Sequence, residues 1–249
     1  KGGTGIDSID QAAAADFGVM VGNTPNAFTV PVSESVLGYL LSFARNIPWL
    51  DDAMKAGEWK KINGKTLSES TLGVVGVGNV GQAVLRRARG FGMELLGNDI
   101  VDIAPDFLLE NGVEMTSLQD LLSRSDFISI NCDLNPTSQH LINAKTLSWV
   151  KPGAVLINTA RGPIIDQPAL VAALQQGRLG GAGMDVFEDE PLPADSPLLR
   201  MKNVLLSPHN TNSSPRFWER VHWNTIKNLL IGLEIPTDRL AALKKEYGG

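Results

Sequence analysis

From residue 71 onward the chain alternates short apolar runs with longer amphipathic segments. TLGVVGVG, MELLGND, DFISINC, AVLINTA, GAGMDVF and NVLLS are interleaved with NVGQAVLRRARGF, SLQDLLSRS and QPALVAALQQGR. The first set has the length and β-branched content of strands, and the second has helical spacing. Strands apolar at successive positions have no polar face to give to water, so both faces must be covered. Such strands alternating with helices predict an α/β fold of Rossmann type, a doubly wound parallel sheet with helices on both faces. With 249 residues the chain is long enough to bury a core of that size.

The flanks read differently. Between residues 29 and 57, Val36, Leu37, Leu40, Leu41 and Ala44 recur on one side of a helix. Pro48 ends or kinks that helix, and a second short one is expected to run to about Gly57. After the last strand, PRFWERVHWNTIKNLLIGL reads as a helical tail. A net charge of -5 argues against a nucleic acid partner, and the basic cluster Arg86–Arg89 reads as a solvated helix face. No apolar stretch reaches the roughly 20 residues of a membrane span, so no membrane partner is expected. The single cysteine, Cys132, excludes an internal disulfide framework and fits a reducing, cytoplasmic setting.

Within LGVVGVGNVGQAV, Gly76, Gly78 and Gly81 stand in G-x-G-x-x-G spacing between a strand and a helix, with Asn79 and Val80 in the same turn. Such a turn brings backbone N–H groups and the positive end of a helix against a pyrophosphate. Asp99 closes the next apolar run, about 20 residues on, where an acid accepts the ribose hydroxyls of NAD and repels the 2′-phosphate of NADP. NAD is therefore the expected cofactor.

In an open parallel sheet, ligands bind beyond the carboxyl ends of the strands. Arg161 follows AVLINTA, the acids Glu188, Asp189 and Glu190 follow GAGMDVF, and His209 follows NVLLSP. If those runs are neighbouring parallel strands, a guanidinium, a carboxylate and an imidazole share one edge with the glycine loop. Oxidation of a hydroxyl needs a base for its proton, and imidazole is the side chain poised near neutral pH. A carboxylate partner fixes the imidazole tautomer, and an arginine grips a substrate carboxylate with two prongs. The residues alone leave open which of the three acids takes part.

Taken together, these segments resemble the D-isomer-specific 2-hydroxyacid dehydrogenases, from GTGIDSID onward. NTARGPIID is similar to the family's catalytic arginine segment, GAGMDVFEDEPLP to its glutamate motif and LLSPHN to its histidine motif. The resemblance implies Arg161, Glu190 and His209 as catalytic residues, with Glu190 the matching acid because it precedes Pro191. It implies that Asp185 holds the nicotinamide carboxamide, that Thr159 and Ala160 line the same pocket, and that Thr4 and Gly5 bind the substrate carboxylate beside Arg161. It further implies a remnant of a flavodoxin-like substrate lobe over 1–26, with most of that lobe preceding Lys1. An NAD-binding domain over 27–211 and a C-terminal helix over 212–249 returning to the lobe complete the expected division. The implied activity is hydride transfer between NAD and a small D-2-hydroxy acid of glyoxylate, hydroxypyruvate or phosphoglycerate type. An NAD-sensing interaction protein of corepressor type is the alternative on the same fold. A homodimer is implied, with the helices between residues 32 and 57 as contact surface, although their apolar stripe equally fits core packing.

Two segments depart from the family pattern. Asn131 and Asp133 stand where histidine and proline are usual, and NTNSSP replaces a small glycine-containing run after His209. The second departure is expected to reshape the substrate pocket, with Arg216 or Trp218 near it or else opening a packed helix. His140 and His222 read as structural, and no metal-ligand spacing is present.

Overall fold

The computed structural model describes residues 1–247. Two compact units are present, one formed by residues 1–31 with 212–249 and the other by residues 32–211.

In chain order the elements are α1 (Gln11–Asp16), α2 (Thr29–Ala44), α3 (Ile47–Lys55), β1 (Thr71–Val75), α4 (Asn79–Arg89), β2 (Glu94–Asn98), α5 (Pro105–Asn111), β3 (Val113–Met115) and α6 (Leu118–Arg124). They continue with β4 (Phe127–Ile130), α7 (Ala144–Leu147), β5 (Ala154–Asn158), α8 (Gln167–Gln175), β6 (Leu179–Met184), β7 (Val204–Leu206), α9 (Pro215–Gly232) and α10 (Arg239–Tyr247). The seven strands of the described residues pair in parallel in the order β3-β2-β1-β4-β5-β6-β7. The six runs read from the sequence are six of these strands. The seventh, β3, is a three-residue edge strand too short for any alternation to register.

The sheet is covered on both faces, as its continuous apolar runs require. Val75, Ile128, Ile130, Leu156 and Met184 point into one core with Leu121 and Leu122 of α6 and Leu170 and Leu174 of α8. Leu72, Val74, Val155 and Ile157 point the other way, against Val84 and Leu85 of α4 and Val36, Leu37 and Leu40 of α2. Each fully buried aliphatic side chain stabilises the fold by about 1.5–3 kcal/mol. The apolar stripe of α2 is thus core packing. The exposed apolar residues of this region are instead Ile47 and Met54 on α3, and Trp59 just beyond it. Pro48 occupies the first turn of α3, where its missing N–H costs nothing. Arg86 and Arg89 are exposed on the last turn of α4, as a solvated face demands.

In the smaller unit, α9 lies against the opening segment. Asn228 Nδ2 donates to Asn23 O at 2.6 Å, and Phe28 meets Trp218 edge-on with centroids 5.0 Å apart.

Candidate active site

The glycine loop leaves β1 at Gly76, whose φ of +89° only glycine adopts without strain and whose missing Cβ makes room for the Cys132 backbone. Gly78 caps α4, and the exposed Gly78 and Asn79 with the half-buried Val80 form the first turn of that helix. A Cβ on Gly81 would overlap the Gly76 carbonyl, so these two positions accept only glycine. Asp99, at the end of β2, accepts the Val77 N–H at 2.6 Å through Oδ2 and the Ile100 N–H at 2.7 Å through Oδ1. The acid is therefore fastened to the loop it flanks.

Strands β5, β6 and β7 are adjacent and end in register, Asn158 beside Met184 and Met184 beside Leu206. Their following loops carry Arg161, Glu190 and His209. His209 Nδ1 lies 2.8 Å from Glu190 Oε2, and Glu190 Oε1 accepts the Phe187 N–H at 3.0 Å. Glu188 pairs elsewhere, with His140 Nε2 at 2.7 Å, so Glu190 alone of the three acids has a bond to His209. Arg161 is half-buried and donates to the Ala160 carbonyl at 2.7 Å. Its turn is closed by Asn158, which is fully buried. Asn158 Nδ2 donates to Arg161 O at 2.9 Å, and its Oδ1 accepts the Ala160 N–H at 3.0 Å.

Asp185, one residue beyond β6, is fully buried. Its Oδ1 accepts the Asn210 N–H at 2.8 Å, while Oδ2 accepts the Thr211 N–H at 3.1 Å and the Thr211 hydroxyl at 2.6 Å. Asn210 and Thr211, the first residues of the unusual NTNSSP run, thus face Asp185. Beneath them Tyr39 of α2 lies against Gly183, with its hydroxyl bonded to Ser207. Burial, reinforced by the Asp185 carboxylate, pushes that hydroxyl up to about 12.

Two buried polar atoms at neighbouring strand ends, Asn131 Oδ1 after β4 and Thr159 Oγ1 after β5, have no protein partner among the described residues. Unpaired polar groups of this kind are costly unless a ligand or water meets them. Their position at the carboxyl edge, beside the glycine loop, fits the polar end of a dinucleotide. Cys132 packs under the same loop. Burial, with added push from Asp133 and Asp99, raises its thiol to about 11, so it stays protonated at neutral pH. Asp133 itself is exposed.

Thr4 and Gly5 lie in the smaller unit, where Asn23 Nδ2 donates to Thr4 O at 2.7 Å. Arg216 is exposed on the first turn of α9, and Trp218 packs on Phe28 and His222. Among the described residues no group of three or more His, Cys, Asp or Glu is placed to hold a metal ion. No helix of the described residues is long and apolar enough to cross a membrane. Sequence reading missed Asn158, Thr211 and Tyr39. Their side chains turn back into the protein, and only the polar residue type at a strand end hinted at the first.

Known proteins resemble this chain in sequence and in fold. D-3-phosphoglycerate dehydrogenase of Methanocaldococcus jannaschii is 37% identical over 260 residues, covering 98% of this chain, and the chain spans about half (49%) of that protein's length. Glyoxylate reductase of Korarchaeum cryptofilum is 39% identical over 232 residues, covering 91% of this chain and 70% of the relative. A solved D-lactate dehydrogenase of Aquifex aeolicus, complexed with NAD and lactic acid, superposes with a TM-score of 0.87 at 31% identity, over 94% of this chain and 75% of that one. Residues 37–211 match the family model for the NAD binding domain of D-isomer specific 2-hydroxyacid dehydrogenases, and the chain belongs to that family.

Proposed function

We propose that this protein catalyses NAD-dependent interconversion of a small D-2-hydroxy acid and its 2-keto acid. The observation that carries the reading is the His209–Glu190 hydrogen bond, set at the sheet edge that also bears the glycine loop and Arg161. With Nδ1 committed to Glu190, His209 turns Nε2 to the substrate. In oxidation the substrate O–H bond breaks and its proton passes to Nε2, as the carbon-bound hydrogen leaves with its electron pair and C=O forms. NAD, when bound, supplies the two-electron acceptor. In reduction His209 returns the proton, and Glu190 stabilises the imidazolium between the two events. Arg161 grips the substrate carboxylate and polarises the adjacent carbonyl.

Gly76, Gly78, Asn79, Val80 and Gly81 would hold the pyrophosphate and Asp99 the adenosine ribose. Thr159, Ala160, Asp185 and Asn131 would surround the nicotinamide end. Substrates of glyoxylate or phosphoglycerate type match the names of the relatives, and hydroxypyruvate belongs to the same class of small 2-keto acids. A homodimer joined through the exposed apolar residues of α3 and a cytoplasmic location complete the proposal.

NADH oxidation by the purified protein with a panel of 2-keto acids tests it. Turnover with at least one, abolished in His209→Ala while NADH affinity persists, is the expected result. NADH binding with no turnover across the panel would instead favour an NAD-sensing interaction protein on this fold.

A further inference from the structure

We infer that Thr211, acting through Asp185, is a positioning residue that fixes the ring of His209 for proton transfer; the inference rests on the dehydrogenase reading above. His209 has a φ of +51°, a left-handed conformation that a residue with a Cβ holds only when its surroundings over-determine it. The surroundings here do so chiefly through Asp185, beside a longer bond from the His209 N–H to the Ser207 carbonyl at 3.1 Å and one from the Ser35 hydroxyl to the Thr211 carbonyl at 3.5 Å. The His209 N–H donates to the Asp185 carbonyl at 2.7 Å, and the next two N–H groups reach the two oxygens of the Asp185 carboxylate. The Thr211 hydroxyl adds a bond to Oδ2 at 2.6 Å. Asp185 is 0% and Thr211 8% exposed, so water cannot replace a bond lost between them.

The ring of His209 is consequently held at two ends. Its backbone is drawn down onto Asp185, and its Nδ1 meets Glu190, which is itself anchored by the Phe187 N–H. Side-chain direction follows backbone direction, so slack in the 209–211 turn swings Nε2 away from the substrate without touching the glycine loop. A displacement of about 1 Å at a reacting group is enough to cost orders of magnitude in rate. The run NTNSSP thus supplies, at its second residue, a hydroxyl that a glycine there would not. Its opening residues serve the histidine.

Thr211→Val keeps the shape and removes the hydroxyl, and Thr211→Ser keeps the hydroxyl. Two readouts separate positioning from mere structure: kcat against KM and NADH affinity, and the NMR signal of the His209 Nδ1–H held by Glu190, assigned with His209→Ala. Thr211→Val is expected to lower kcat about tenfold with KM and NADH affinity within about twofold, and to broaden or abolish that signal. Thr211→Ser is expected to retain both. An unchanged kcat and signal in Thr211→Val, or parallel loss of NADH binding, overturns the inference. Should valine prevent folding, loss of the signal in folded Thr211→Ser overturns it equally. If the unmodified protein reduces no 2-keto acid, the dehydrogenase reading fails, and the NMR signal alone still decides whether Thr211 positions His209.

Discussion

Glu190 bridges two loops with one carboxylate: Oε2 lies 2.8 Å from His209 Nδ1, and Oε1 accepts the Phe187 N–H at 3.0 Å. Replacement by glutamine keeps the length and loses the charge that stabilises an imidazolium. Glu190→Gln is expected to lower kcat for keto acid reduction by about one to two orders of magnitude at unchanged NADH affinity. Steady-state rates beside NADH fluorescence titration check this, and wild-type kcat in the variant would remove Glu190 from the mechanism.

Asp99 joins the ligand role proposed for it to a structural one, because the Val77 N–H of the glycine loop rests on its Oδ2. Asp99→Ala should therefore weaken NADH binding by about tenfold and narrow the discrimination against NADPH, since the carboxylate that repels a 2′-phosphate is gone. Parallel titrations with the two cofactors measure both effects. A variant still selecting NADH as strongly as the wild type would assign the preference to another group.

Cys132 binds its proton tightly in the folded protein, chiefly through burial and then through the Asp133 and Asp99 carboxylates. At pH 8 native Cys132 should react with iodoacetamide about a hundredfold or more slowly than in the denatured chain, and faster with each pH step towards 11. The stability linked to this proton is fully present below the unfolded thiol value of about 8.5 and is lost as pH rises through the folded one. Fast alkylation at pH 8 in folded protein would contradict the burial of the thiol.

Asp126 opens β4 at the opposite end of the sheet. Burial alone would raise its carboxyl, but the Thr71 N–H at 3.0 Å, Lys151 at 2.9 Å and Lys65 outweigh it and hold the group below its ordinary range. Stability from this cluster is present above the unfolded value of about 3.9 and is lost as pH falls through the folded one. Asp126→Asn should lower Tm by about 2–6 °C at pH 7, and the two proteins should converge on acidification. Thermal melts from pH 7 to pH 2.5 follow this, and a gap that persists in acid would assign the loss to packing.

The sheet was legible because its core strands carry apolar residues on both faces, a pattern that a doubly covered sheet accommodates. β3 was hidden by having three residues. Arg161, Glu190 and His209 were legible as candidates because strand ends collect ligands and because they stand in motifs that resemble a known family. Asn158, Asp185 and Thr211 were harder to interpret, since each acts on backbone groups several residues away, and no one-dimensional pattern records which N–H a buried oxygen meets. The stripe on α2 illustrates the reverse limit: an apolar helix face announces that it will be covered and says nothing of whether by its own sheet or by another subunit.

Gly162 follows Arg161 directly, and any side chain there would collide with the Phe187 carbonyl and the Glu188 N–H. The arginine turn and the glutamate turn therefore press backbone to backbone and form one inflexible block. Enlarging one to admit a bulkier substrate displaces the acid that serves the histidine. Evolution towards new hydroxy acids on this scaffold is steered away from the block and into residues that carry no proton and grip no cofactor.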